Sequence, residues 1–116
     1  MVVEFMNEIN GFHLTGILCG ACLGEITPNF RRIYWIRNEH KISLKFYLEQ
    51  DDEEDVVNIQ DEIVWYFTFY LEQLLEDASD DEFELTFDII FGTEQFLNTQ
   101  DLKNFDEVYR RKEVFD

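Results

Sequence analysis

Apolar residues recur along this chain with two different periods, and the switches between them outline its elements. Ile42, Leu44, Phe46 and Leu48 alternate with Ser43, Lys45, Tyr47 and Glu49, the period of two expected of a strand with one buried face. Phe30 to Arg37 is rich in aromatic and β-branched residues, and Asn38-Glu39-His40 makes a short turn after it, so the two runs predict a hairpin. Phe83, Leu85, Phe87, Ile89 and Phe91 alternate with Glu84, Thr86, Asp88 and Ile90, predicting a third strand that stops at Gly92. Residues 93–104 read as irregular, and Phe105 to Val114 as the last strand.

Between these runs the period lengthens. Val56, Ile59, Ile63, Phe67, Leu71 and Leu74 form one stripe at helical spacing. They predict a helix over Asp51 to Glu76, with Asp51 and Asp52 as caps and Glu53, Glu54 and Asp55 at the end where the helix dipole favours anions. An acidic loop, Ala78 to Glu82, follows. An earlier helix runs from Phe12 to Glu25, carrying Leu14, Ile17, Leu18, Ala21 and Cys22, and ends before Thr27-Pro28-Asn29, because a residue that precedes Pro is pushed out of the helical region. Gly16, Gly20 and Gly24 make a small-residue stripe on it, which predicts a close approach to a sheet. The order is helix, hairpin, helix, hairpin. It predicts an α+β fold with a four-stranded antiparallel sheet, helices packed on one face and the other face partly open.

Composition refines this picture. The 116 residues fit one domain, and 46% hydrophobic residues with twelve Phe supply a core that a disordered acidic chain lacks. Against 26 Asp and Glu stand 9 Lys and Arg, a formal net charge of -17. That balance disfavours nucleic acid and anionic membranes and suits a basic protein partner. The charge is also segregated along the chain. From Glu49 to Glu107 the only base is Lys103, whereas Arg31, Arg32, Arg37, Lys41 and Lys45 cluster early and Arg110, Arg111 and Lys112 late. No segment is long and apolar enough for a membrane span, and Met1 to Asn10 lacks the basic-then-apolar pattern of a signal peptide, so a cytoplasmic location is expected.

Candidate chemistry is sparse. Cys19-Gly20-Ala21-Cys22 has the spacing of a thiol redox motif, but it falls inside a helix without the preceding strand of a thioredoxin unit, and small apolar packing is the expected role. His13 and His40 do not complete a zinc site with it, so neither a metal nor another cofactor is expected. No nucleophile triad, phosphate-cradling glycine loop or metal-binding carboxylate loop is present, and the carboxylates lie in solvated runs where nothing would tune them for acid–base work. The chain is expected not to be an enzyme. Arg110-Arg111-Lys112 is expected to pair with nearby carboxylates at a strand end. The back of the long helix is more informative: Asp55, Asn58, Glu62, Trp65, Phe69, Glu72 and Glu76 share a stripe opposite the buried one. Large aromatics ringed by charge are what a protein interface needs; packing of the same rings under the Ala78 to Glu82 loop or the N-terminal segment is an equal expectation.

Three segments carry a family resemblance: Leu23-Gly24-Glu25-Ile26-Thr27-Pro28-Asn29-Phe30-Arg31, Ile42-Ser43-Leu44-Lys45-Phe46-Tyr47-Leu48-Glu49 with the acidic helix start after it, and Val108-Tyr109-Arg110-Arg111-Lys112-Glu113. Over Leu23 to Glu113 the chain resembles small acidic bacterial immunity proteins of contact-dependent growth inhibition and related polymorphic toxin systems. The resemblance implies a single immunity-like domain over 1–116, a cytoplasmic antidote that binds a cognate toxin domain, often a nuclease, and blocks its active site or substrate path. It carries over no functional residue, because partner contacts differ between members. The expected contact surface is therefore the one drawn from helical spacing: Glu62, Trp65, Phe69, Glu72 and Glu76, with Asp80, Asp81 and Glu82 of the loop. Two other functions compete, an acidic DNA mimic of the anti-restriction kind and a CxxC thiol redox protein.

Overall fold

The computed structural model describes residues 11–39, 41–78, 83–92 and 105–111, with the backbone alone for 75–78. Helix α1 (Gly11–Cys22) buries Leu14, Leu18, Ala21 and Cys22. It ends at Cys22, five positions before Thr27 and earlier than the Pro28 signal implies, because Gly24 takes a left-handed backbone (φ 77°) just beyond it, a frequent way to terminate a helix. The backbone of Leu23 and Glu25 then donates back to the carbonyls of Gly20 and Cys22.

Strand β1 (Phe30–Asn38) and strand β2 (Lys41–Leu48) form the predicted antiparallel hairpin. Its tight turn places Glu39 at φ 56°. A long helix, α2, follows in three contiguous segments: α-helical Glu53–Asn58, π-helical Ile59–Val64 and α-helical Trp65–Ala78. Asp52 caps it, its side chain accepting from the Asp55 backbone N–H at 3.1 Å. Strands β3 (Glu84–Phe91) and β4 (Phe105–Arg110) complete a four-stranded sheet of order β3-β2-β1-β4.

The fold is α+β as the sequence pattern indicates, but the sheet is not antiparallel throughout. Strand β3 pairs with β2 in parallel, Lys41 opposite Glu84 through to Leu48 opposite Phe91, while β4 pairs antiparallel with β1 at the other edge. β3 and β4 do not form the expected second hairpin, since they lie at opposite edges. The physical reason is α2 itself. A parallel connection needs a crossover of a dozen or more residues, usually helical, and α2 supplies one between β2 and β3.

Helices and sheet share one core. Ile33 and Trp35 of β1 and Ile42, Leu44, Phe46 and Leu48 of β2 pack with Leu14 and Leu18 of α1 and with Ile59, Ile63, Phe67 and Leu71 of α2. The buried stripe of α2 is the predicted one. The other sheet face is closed over β1 and the end of β2, where Arg32, Tyr34 and Tyr47 are buried, and open toward β3, where Thr86 and Asp88 are exposed. A bulge between Phe30 and Arg32 interrupts the β1–β2 register, and both Arg31 and Arg32 are buried beside it. The glycine stripe of α1 does not meet the sheet as expected. Gly20 faces the Tyr66 ring of α2, where an added Cβ would come within 3.0 Å of the phenol oxygen, and Gly16 and Gly24 face open space.

Candidate partner-binding site

The chain's bases are drawn inward by the sheet. Arg32 pairs with Glu107, which also holds Arg110 at 2.8 Å; Lys45 pairs with Asp88, and Arg111 lies 3.3 Å from Glu49. Arg31 donates to the Gly92 carbonyl. Charge that is segregated along the sequence is thus interleaved across strands: the early bases of β1 and β2 sit beside the late acids of β3 and β4. The expected pairing of the Arg110-Arg111 segment is borne out for those two residues, and Lys112 lies outside the described residues. What the sheet leaves over is the acid of α2, which carries no Lys or Arg at all.

On α2 the structure separates the expected stripe into two parts. Asp55 is buried and Asn58 half-buried, so neither belongs to the exposed face. The Asp55 carboxylate accepts from Thr27 Oγ1 and from Asn29 Nδ2 at 3.0 Å, while Asn58 Nδ2 reaches the Glu25 carbonyl at 3.4 Å. These bonds fasten the α1–β1 connection to the start of α2. The π-helical segment explains the break. Its i→i+5 pitch turns less per residue than an α-helix, so a stripe drawn at constant 3.6 spacing does not continue through it.

Within the second half of that segment and beyond it the expectation holds. Glu62, Trp65, Phe69 and Glu72 are all exposed, Trp65 to 60% and Phe69 to 41%. Trp65 and Phe69 stack with ring centroids 5.5 Å apart and planes within 12°. Tyr70 meets Phe69 edge-on at 5.3 Å and lies over Tyr66 at 4.5 Å, an aromatic chain that sequence reasoning left at two rings although the Tyr66-Phe67-Thr68-Phe69-Tyr70 run spelled it out. Glu76 lies in α2, but its side chain is outside the described residues, as are Asp80, Asp81 and Glu82; the helix itself reaches Ala78, where the loop was expected to begin.

Two grooves flank the ring chain. One of about 400 Å³ lies along the first turns of α2, lined by Glu53, Glu54, Val57, Asn58, Asp61 and Glu62. Another, of about 380 Å³, runs between α1 and α2 past Phe12, Ile17, Tyr70 and Leu74, its floor opened by the missing side chain of Gly16. Acid groove, stacked aromatics and apolar groove form one surface that a protein can bury.

The two cysteines sit in different environments. Cys22 is buried, and burial, with smaller pushes from Cys19 and Glu25, raises its thiol from 9.0 to about 12. It therefore stays protonated at neutral pH, and the thiolate is the reactive form. Cys19 is exposed. Among the described residues no three His, Cys, Asp or Glu side chains come together as a metal-binding group, and no helix is long and apolar enough to cross a membrane.

No curated protein matches the chain. A family model does, over residues 13–113, from the start of α1 past the end of β4. With nearly the whole described fold inside that match, the chain belongs to the MafI2 immunity protein family, and so to the immunity proteins of toxin systems.

Proposed function

We propose that this immunity protein neutralises its toxin by burying the exposed face of α2 against a basic toxin domain, stoichiometrically and in the cytoplasm. The observation that carries the proposal is the stacked Trp65–Phe69 pair, largely exposed among carboxylates that have no base to pair with among the described residues. Exposed aromatics centred in a charged rim are the usual anchors of tight interfaces. A nuclease fits the partner best, since a groove that binds phosphates is basic, and an acidic rigid body occupies it without the flexibility of nucleic acid. Asp80, Asp81 and Glu82 extend the same acidity beyond the helix in sequence.

The test uses the toxin domain, the wild-type chain and two variants. Trp65→Ala removes an anchor and is expected to weaken toxin binding by about 2 kcal/mol or more, with a matching loss of growth protection. Glu72→Lys is expected to slow association by placing like charges together. Melting temperatures of both variants stay near that of the parent, because the Ile59, Ile63, Phe67 and Leu71 stripe is untouched. Trp65→Ala that melts early and binds normally would assign the ring to the core and sink the proposal.

A further inference from the structure

Resting on α2 as the toxin-binding face, the geometry points to the chemistry of the toxin side chain that seats there: an arginine, laid flat against the indole of Trp65 and held by Glu62. One face of Trp65 is turned to Phe69 in a nearly parallel stack, and 60% of the residue remains in solvent. Glu62 is one turn before Trp65, whose backbone N–H donates to the Glu62 carbonyl, and Glu72 lies three residues after Phe69 in the α-helical part, so each is a neighbour of its ring on the helix surface. Both carboxylates are exposed, and among the described residues neither pairs with a base. Of the described acids of the sheet, Glu84, Asp88 and Glu107 are paired with Lys41, Lys45 and Arg32, and Asp106 accepts from Thr15 Oγ1.

The combination selects among occupants. An apolar anchor would satisfy the rings and strand Glu62 and Glu72 without water or partner, at a cost set by burying unpaired charge. A lysine ammonium would meet the carboxylates, but it is compact and strongly hydrated and gains little from a flat ring surface. A guanidinium is planar, more weakly hydrated, stacks on aromatic faces and presents parallel N–H groups to a carboxylate. It matches both halves of the site.

Hexa-arginine and hexa-lysine peptides, equal in length and charge, are the probes, titrated at low ionic strength into the full chain. Tryptophan emission is the readout, since Trp35 is only 5% exposed and Trp65 is the solvent-facing indole. Hexa-arginine is expected to bind about fivefold tighter. Trp65→Ala should bring that ratio to about one, read by calorimetry, and Trp65→Tyr should retain most of it. Glu62→Gln with Glu72→Gln should weaken both peptides. Equal affinity for the two peptides, or an arginine preference that survives Trp65→Ala, overturns the arginine seat. Loss of toxin binding in Trp65→Ala without any arginine preference overturns the seat alone and leaves the binding face standing. An arginine preference together with undiminished toxin binding by Trp65→Ala overturns both.

Discussion

Removing the Asp55 carboxylate tests whether the start of α2 is fastened as the structure describes. Asp55 is 7% exposed, and its oxygens accept from Thr27 Oγ1 at 3.2 Å and from Asn29 Nδ2 at 3.0 Å. Hydrogen bonds to charged groups contribute about 1.5–3 kcal/mol each. The Thr27 contact is long and shared between both oxygens, which places it at the low end. Asn29 is not orphaned by the change, because Nδ2 also donates to the Gln50 carbonyl at 2.9 Å. Loss of a carboxylate from the first helical turn removes a further ~0.5 kcal/mol, roughly offset by relief of repulsion with Asp52, Glu53 and Glu54. Asp55→Ala is therefore expected to cost about 3 kcal/mol, and Asp55→Asn, which keeps one acceptor, about half of that. For a domain of this size the alanine variant melts about 12 °C lower. Thermal unfolding followed by circular dichroism measures it, and toxin affinity of the folded variant should be unchanged. A fall of less than about 2 °C would show that the Thr27–Asn29–Asp55 fastening contributes nothing and that α2 is held by its apolar stripe alone.

Two further outcomes follow from burial and charge. At neutral pH a thiol reagent should label Cys19 quickly and Cys22 only on unfolding; two equally fast thiols would contradict the buried, protonated Cys22. Because the Cys22 thiol is raised to about 12 and the Tyr34 hydroxyl is raised by burial and its bond to Tyr47, both groups hold their protons more tightly folded than unfolded. Their contribution is complete below about pH 9 and is lost as pH rises toward 12, so alkaline melting should steepen in that window and a flat profile would refute it. Association with the toxin should slow markedly between low and high salt, as the screening length contracts from about 30 Å to about 3 Å. A salt-independent on-rate in stopped-flow mixing would remove the electrostatic part of the proposed function.

Local elements were legible because each announces itself by period. The alternation of Ile42 to Leu48 and of Phe83 to Ile89, and the Ile59 to Leu71 stripe, each recur in the fold as read. Pairing was not legible: alternation says which face of β3 is buried and nothing about which neighbour it joins. The length of α2 was the available clue, since a helix of that length suffices for a parallel crossover. Three local features escaped as well. The π-helical segment Ile59–Val64 has no composition signature and shifts the phase of everything before it, which is why Asp55 and Asn58 were assigned to the wrong side. The Gly24 backbone conformation ended α1 before proline did. The bases looked like a separate patch because strand neighbours far apart in sequence, such as Arg32 and Glu107, cannot be paired from a linear reading. For the candidate site, Glu62, Trp65, Phe69 and Glu72 were legible because they lie on the α-helical side of that phase shift or at its edge.

The position of β4 beside β1 has a consequence for how the antidote is made. Arg32 leaves the ribosome 75 positions before Glu107, the carboxylate that neutralises it, an interval of about 4–15 s at ordinary rates of synthesis. Until then Arg32 lacks the Glu107 carboxylate, and the strand that pairs along that edge of β1 is missing. The β1–β2 hairpin can form early, but the outer edge of β1 stays without its partner strand until the chain has been made through Arg110. A nascent or prematurely terminated chain therefore stays open to proteolysis instead of maturing into a partial inhibitor, and the supply of working antidote is set by completed chains.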